Sequence, residues 1–216
     1  MSLLSSLNTS FCKRFKSSQS QHVGTPPNCF KSLKETAWNL LEDAVSGTSS
    51  SPARYVNFAT VDPITNIPEA RIVAIQNIKN DTSSIDFYAD KTSAKMRSLK
   101  AQNSAAITVW DPSQFIQARL SVQVEILNND LPEVREVWET LPSRIKLCYG
   151  SSPSPGSHIE HATSFEKKAN FDDFAILRCH VLQMDLIYLD PIDRFNDRRA
   201  LLVKNGDDWD GSWLAP

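Results

Sequence analysis

The chain has 216 residues, 41% hydrophobic and 22% charged, with a formal net charge of −2. This length suits one domain with a sizeable core, and so small a net charge gives no overall field to draw the chain onto nucleic acid or an anionic membrane surface. No apolar run is long enough to span a bilayer, so a soluble protein is expected, with neither nucleic acid nor membrane as a partner.

Residues 1–34 hold Lys13, Arg14, Lys16, Lys31 and Lys34 and no acidic residue, which leaves 18 basic against 25 acidic residues for the remainder. In the Ser-rich start, Leu3, Leu7, Phe11 and Phe15 recur every four residues, although Arg14 interrupts the apolar face. Two readings stand: an amphipathic mitochondrial presequence, or a flexible tail of ordinary composition. Residues 1–27 are therefore set apart, and 28–216 form a single domain. The expected location is the cytoplasm, with mitochondrial import as the alternative. Cys12, Cys29, Cys148 and Cys179 show no CxxC spacing, which suits free thiols in a reducing compartment.

Phe30, Leu33, Ala37, Leu40, Leu41 and Ala44 follow helical spacing, ended by Gly47 and the SGTSSSP loop. After Pro52 the pattern turns to strands: Arg54–Val61, Ile67–Ile78, Ile85–Asp90, Ser104–Trp110 and Phe115–Leu127, separated by DPITNIP, NIKNDTSS and WDPSQ. A helix over Thr92–Gln102 interrupts them, and another begins near Asn129 or Asp130, with Leu131, Val134, Val137, Trp138 and Leu141 on one face. Residues 150–165 read as an irregular loop. Two last strands, Phe174–Asp190 and Arg199–Lys204, precede WDGSWLAP. Consecutive strands joined by short polar turns make antiparallel hairpins, and a sheet of this extent hides its edges most simply by closing into a small antiparallel barrel with flanking helices.

The stretch FYADKTSAK carries the first chemical signal. A helix start presents unpaired N–H groups and the positive end of the macrodipole, so an acid in the first turn is the usual choice; here Thr92, Ser93 and Lys95 stand instead. Either an anion such as phosphate sits there, or Asp90 or Thr92 caps the helix while Lys95 is solvated. No GxGxxG or GxxxxGK[ST] offers another phosphate cradle. Arg71, at the head of the apolar RIVAI run, is a natural second cation for a phosphate clamp; the alternative is an ion pair with Glu69 or Asp86. His158 and His161 flank Glu160 without a third ligand at recognisable spacing, so no metal site is assigned. RFNDRR, from Arg194 to Arg199, is either a solvated turn or a set of anion-binding arginines.

With RIVAI, FYAD…SAK, W…FIQARLSVQVE and a W…LAP ending in that order, the chain from about residue 30 onward resembles the pyridoxamine 5′-phosphate oxidase family of FMN-binding split β-barrels, closest to a side branch found in cyanobacteria, plants and fungi. The resemblance implies FMN as cofactor, its phosphate held by Arg71 and Lys95 with Ser93 beside them. It implies that the backbone of Ile72, Val73, Ala74, Tyr88 and Ala89 lines the flavin, that Gln117 contacts its ring system, and that Tyr188 and Arg198 lie near it, Tyr188 replacing a Trp. It further implies a homodimer and a small phosphorylated substrate, bound by Arg194 and Asn196 with Arg144 as a further anion contact beside Ser143. The implied reaction is oxidation of pyridoxamine or pyridoxine 5′-phosphate to pyridoxal 5′-phosphate, needing no protein nucleophile. Three departures are visible: Ala94 replaces a basic residue, Gln76 a substrate-contacting Lys, and Asn196 the His of an Arg-x-His pair. A split-barrel flavoprotein acting on another donor, or a non-catalytic module binding FMN or pyridoxal phosphate, are the alternatives.

Overall fold

The computed structural model describes residues 27–46 and 51–216. The basic, Ser-rich start with Cys12, and the Gly47 helix stop, lie outside the described residues. Helix α1 (Phe30–Val45) starts at Cys29, whose Sγ accepts the Ser32 N–H at 3.4 Å, and it buries Leu33, Ala37, Trp38, Leu40, Leu41 and Ala44 as the periodicity requires.

Six strands follow: β1 (Tyr55–Val61), β2 (Pro68–Ala74), β3 (Asn77–Lys79), β4 (Ser84–Asp90), β5 (Ser104–Asp111) and β6 (Ile116–Leu127), with helix α2 (Ala94–Ala101) between β4 and β5. Then come helices α3 (Pro132–Thr140) and α4 (Ser143–Lys146), a short hairpin of β7 (Ser151–Ser152) and β8 (Glu166–Lys167), and strands β9 (Phe174–Tyr188), β10 (Arg198–Asn205) and β11 (Asp208–Leu214). Apart from the β7–β8 hairpin, these strands form one antiparallel sheet that curls into a barrel.

The expected Ile67–Ile78 strand is two strands serving two partners. β2 pairs with β1, with Arg71 opposite Phe58 and Glu69 opposite Thr60. The Ile75 N–H still donates to the Arg54 carbonyl, whereas the Gln76 N–H donates to the Asp86 carbonyl, both at 2.9 Å. From there β3 runs along β4. This change of partner curls the sheet, because one continuous segment is bonded to β1 at one end and to β4 at the other.

β9 is the other organising element. β6 lies along one side from Ile176 to Tyr188, while the other side pairs with β4 over residues 174–180 and with β10 over residues 183–188. A bulge at Ser121/Val122 leaves Leu182 without a register partner on β6 and turns it outward. β11 was not expected as a strand, because DWDGSWL is mostly exposed and lacks a clear alternation. Backbone pairing to β10 holds it, and Gly211 allows it to approach α1: a Cβ there would lie 2.7 Å from the Phe30 ring.

Inward positions of the barrel make the main core, with Phe58 and Phe87 edge to face at 5.5 Å. A second cluster lies on the other face of β4 and β9 beneath α3 and α4, where Tyr88, Trp138, Tyr149, Phe171 and Phe174 pack with Val134 and Ile176. Arg178 fastens α3 to this face. Its guanidinium bonds Asp86 through Nε (3.0 Å) and Nη2 (3.1 Å), and Glu133 of α3 through Nη2 (3.1 Å).

Candidate functional site

β2 and the start of α2 bring the two predicted cations together at the rim of the barrel. Arg71 is on the inward face of β2, where Nη1 donates to Thr60 Oγ1 (2.7 Å) and Nη2 to Glu69 Oε2 (2.9 Å). Of the two ion pairs weighed from sequence, the one with Glu69 forms, while Asp86 is taken by Arg178. Both Arg71 partners lie on the β1–β2 ladder and fix the guanidinium, with Glu69 as its counter-charge and Lys95 left as the cation without a carboxylate bond of its own.

Lys95, in the first turn of α2, donates to Ser93 Oγ at 3.0 Å. Burial pushes its ammonium pKa down, and the nearby Arg71 guanidinium pushes it further, against an opposing contribution from Asp90. Two cations held near each other in a partly desolvated spot form the donor set that a phosphate dianion satisfies. No side chain caps α2: Ser93 is the N-cap residue but makes no side-chain cap bond, and the first turn holds no acid. The helix start therefore leaves N–H groups for an anion. Arg97, one turn on, is not a third free cation, since it bonds Asp62 at 2.7 Å. Asp62 in turn accepts the Thr65 and Ile64 N–H groups, and these bonds together with Arg97 hold its carboxyl well below the usual range.

The other expected residues divide by face. Ile72 and Ala74 are on the outer face of β2, with Val73 turned inward opposite the buried Val56. Ala89 is buried in the main core, whereas the Tyr88 ring lies in the second cluster, 5.2 Å from Phe174; burial raises its hydroxyl pKa. Gln117 is opposite Trp110, and Tyr55 opposite Ala74, so β1 and β5 separate Gln117 from β2 by about 14 Å along the sheet at ordinary strand spacing. One copy of the chain does not bring Gln117 to the Arg71–Lys95 rim. Tyr188 is buried in the main core opposite Ile116, and burial raises its pKa.

Arg194 and Asn196 are in the connection between β9 and β10, and Arg198 opens β10 opposite Tyr188. Asp190 accepts the N–H groups of Ile192 (2.8 Å) and Asp193 (2.9 Å), Arg194 pairs with Asp197 (3.2 Å), and Arg198 donates to the Asp197 carbonyl (2.9 Å). Arg144 is exposed on α4, on the side of the second cluster that contains Tyr88. His158 and His161 are exposed on the segment between β7 and β8, where His161 lies 3.7 Å from Glu160. Sequence reasoning missed Thr60, which only strand register places beside Arg71. It weighed Glu69 as an ion-pair partner and Asp90 as a helix cap; Asp90 does accept the Thr92 N–H, but its bond to Gly150 was not foreseen.

Residues 35–128 match the model of the pyridoxamine 5′-phosphate oxidase FMN-binding domain. No curated protein matches the chain in sequence. Among solved structures, a pyridoxamine 5′-phosphate oxidase-related, FMN-binding protein of Nostoc punctiforme shares 23% identity, covering 85% of this chain and 97% of its own, with a TM-score of 0.69. PhzG of Burkholderia lata shares 18% identity, covering 93% of this chain and 98% of its own, with a TM-score of 0.64. The matched segment holds β2, Arg71, Ser93, Lys95 and Gln117, and the fold likeness extends over most of the chain. Residues 35–128 thus resemble the pyridoxamine 5′-phosphate oxidase FMN-binding domain, and the fold of the chain is the split barrel of these solved structures.

Proposed function

We propose that the chain binds FMN and works as an FMN-dependent oxidoreductase, with pyridoxamine or pyridoxine 5′-phosphate as the donor and pyridoxal 5′-phosphate as the product. The observation that carries the reading is the paired placement of Arg71 and Lys95 at the open start of α2, inside the segment matched to the FMN-binding domain. Arg71 supplies a planar, bidentate cation and Lys95 a point charge for the FMN phosphate. When bound, FMN supplies the two-electron acceptor, with oxygen restoring it. The chain's own tasks are to hold the donor carbon against the ring and to keep water from it.

The substrate phosphate falls to Arg194, with Asn196 in the same loop and Arg144 on α4. The separation of Gln117 from β2 favours a homodimer in which a second copy brings its Gln117 to the flavin. Exposed apolar side chains on the outer face between them, Tyr55 (64% exposed), Ile72 (60%) and Trp110 (42%), give that contact something to bury. Flavin spectra recorded without air test the activity. Bleaching on addition of pyridoxamine 5′-phosphate is the expected result, and a bound flavin that does not bleach would overturn this donor.

A second reading, another donor on the same scaffold, is favoured by one set of observations. Gln76 is neutral and bonds the Ala74 carbonyl (3.2 Å), and Arg194 is already paired with Asp197, so the residues matched to the substrate side are less cationic than the FMN side. The PhzG structure is a complex with tetrahydrophenazine-1-carboxylic acid, a compound without phosphate. Such a compound bleaching the flavin where pyridoxamine 5′-phosphate fails would establish it.

The depressed Lys95 pKa has a pH consequence. The ligand-free ammonium loses its proton below the ordinary lysine value of 10.5, and phosphate favours the charged form. FMN affinity is therefore expected to fall as pH rises through the alkaline range, sooner than an ordinary lysine would dictate. In Lys95→Arg the decline should vanish, since the guanidinium stays charged; flavin-fluorescence titrations of both proteins check this.

A further inference from the structure

Asp90 is nearly buried at the end of β4, 6% exposed, and its carboxylate is engaged from two directions. Oδ1 accepts the Thr92 N–H at 2.8 Å and also the Thr92 hydroxyl; Oδ2 accepts the Gly150 N–H at 3.1 Å. Gly150 is locked in its turn: its φ is +109°, and a Cβ would come within 2.1 Å of the Lys168 carbonyl oxygen. Its own carbonyl accepts the Lys168 N–H at 3.1 Å. One end of the Asp90 carboxylate is thus tied to the base of the β7–β8 hairpin, the other to the turn that leads into α2.

The main chain of the same residue carries the effect onward. The Asp90 carbonyl accepts both the Ser93 N–H (3.1 Å) and the Ser93 hydroxyl (2.6 Å). With its proton directed at that carbonyl, Ser93 Oγ has only lone pairs to offer, and it receives the Lys95 ammonium at 3.0 Å. Lysine has a long, flexible side chain that does not hold a position by itself. Arg71 is set by Thr60 and Glu69; Lys95 is set by Ser93, and Ser93 by Asp90.

Charge alone argues for the opposite residue. A carboxylate close to Lys95 repels a phosphate, so if Asp90 had no geometric task, removing its charge would strengthen FMN binding. Its nearly buried position, satisfied by two N–H groups and a hydroxyl, points to the turn itself as what it serves.

Resting on the reading that Arg71 and Lys95 hold the FMN phosphate, we infer that Asp90 is the positioning residue of that clamp, locking the 90–93 turn so that Ser93 presents the Lys95 ammonium beside Arg71. The test compares FMN with riboflavin, which has the same ring and no phosphate. In Asp90→Ala the ratio of FMN to riboflavin affinity is expected to fall about tenfold, the scale of one charge-assisted contact, with riboflavin affinity unchanged. Asp90→Asn keeps an oxygen for Thr92 and should lie between Asp90→Ala and the wild type. A ratio that stays the same or rises in Asp90→Ala, or an equal loss for both flavins, would overturn the proposal. Should Asp90→Ala fail to fold, Thr92→Val at an exposed position removes one bond to the carboxylate: a fall of about twofold or more in the ratio supports the proposal and an unchanged ratio overturns it. A wild-type protein binding both flavins equally would remove the clamp, and this proposal with it; a wild type preferring FMN beside variants that keep the preference would remove the Asp90 role alone.

Discussion

Replacing Arg71 and Lys95 together by Ala is expected to weaken FMN binding by about two to four orders of magnitude while leaving the barrel folded. In the proposed clamp each cation would give the phosphate charge-assisted hydrogen bonds worth about 1.5–3 kcal/mol, and each tenfold in affinity is about 1.4 kcal/mol. Both side chains are at the barrel rim rather than in its core, and the Glu69 partner of Arg71 has solvent to turn to. Quenching of flavin fluorescence on binding gives the affinity, and thermal unfolding gives the control. Undiminished FMN binding in the folded double variant would show that the phosphate is held elsewhere.

The second large effect is on stability. Arg178→Met keeps much of the apolar stem but leaves Asp86, whose side chain is only 5% exposed, without its cation. Removing one partner of a buried ion pair costs about 3–5 kcal/mol, because the remaining charge has neither water nor a counter-charge. For a chain of this size that lowers the unfolding midpoint by about 6–20 °C. Adding Asp86→Asn to Arg178→Met should recover part of the loss. Since Arg178 also holds Glu133 of α3, the first sign of unfolding should come from Trp138, which packs at 5.3 Å from Phe174 beneath that helix. Equal stability of Arg178→Met and wild type would show that Asp86 is solvated.

Much of the architecture was legible because burial writes a period into the chain. Leu33, Ala37, Leu40, Leu41 and Ala44 mark α1, and the alternation through Ile116–Leu127 marks β6. The break of the Ile67–Ile78 run escaped notice, since Ile75 and Gln76 change hydrogen-bond partners without changing residue character. β11 escaped because backbone pairing and the room left by Gly211, rather than side-chain burial, hold it. At the site, the absence of an acid in the first turn of α2 pointed to Ser93 and Lys95 directly. Which partner Arg71 would take was open between Glu69 and Asp86, because the choice depends on register: Glu69 stands opposite Thr60 beside Arg71, while Asp86 faces away toward Arg178. The bond of Asp90 to Gly150 spans sixty residues and left no local trace.

The exchange of partners along β9 bears on the order in which the chain can assemble. β4 and β6, both complete by residue 127, each await the same late strand, and neither pairs with the other. During synthesis from the N-terminus the first 128 residues therefore emerge with the β4 and β6 edges that β9 later covers still open, each a template for an unrelated strand. Pairing Ser84 with His180 closes a loop of nearly a hundred residues, so the slow step of folding is the arrival of β9, and any delay in translating Phe174–Tyr188 lengthens the time those edges stay exposed.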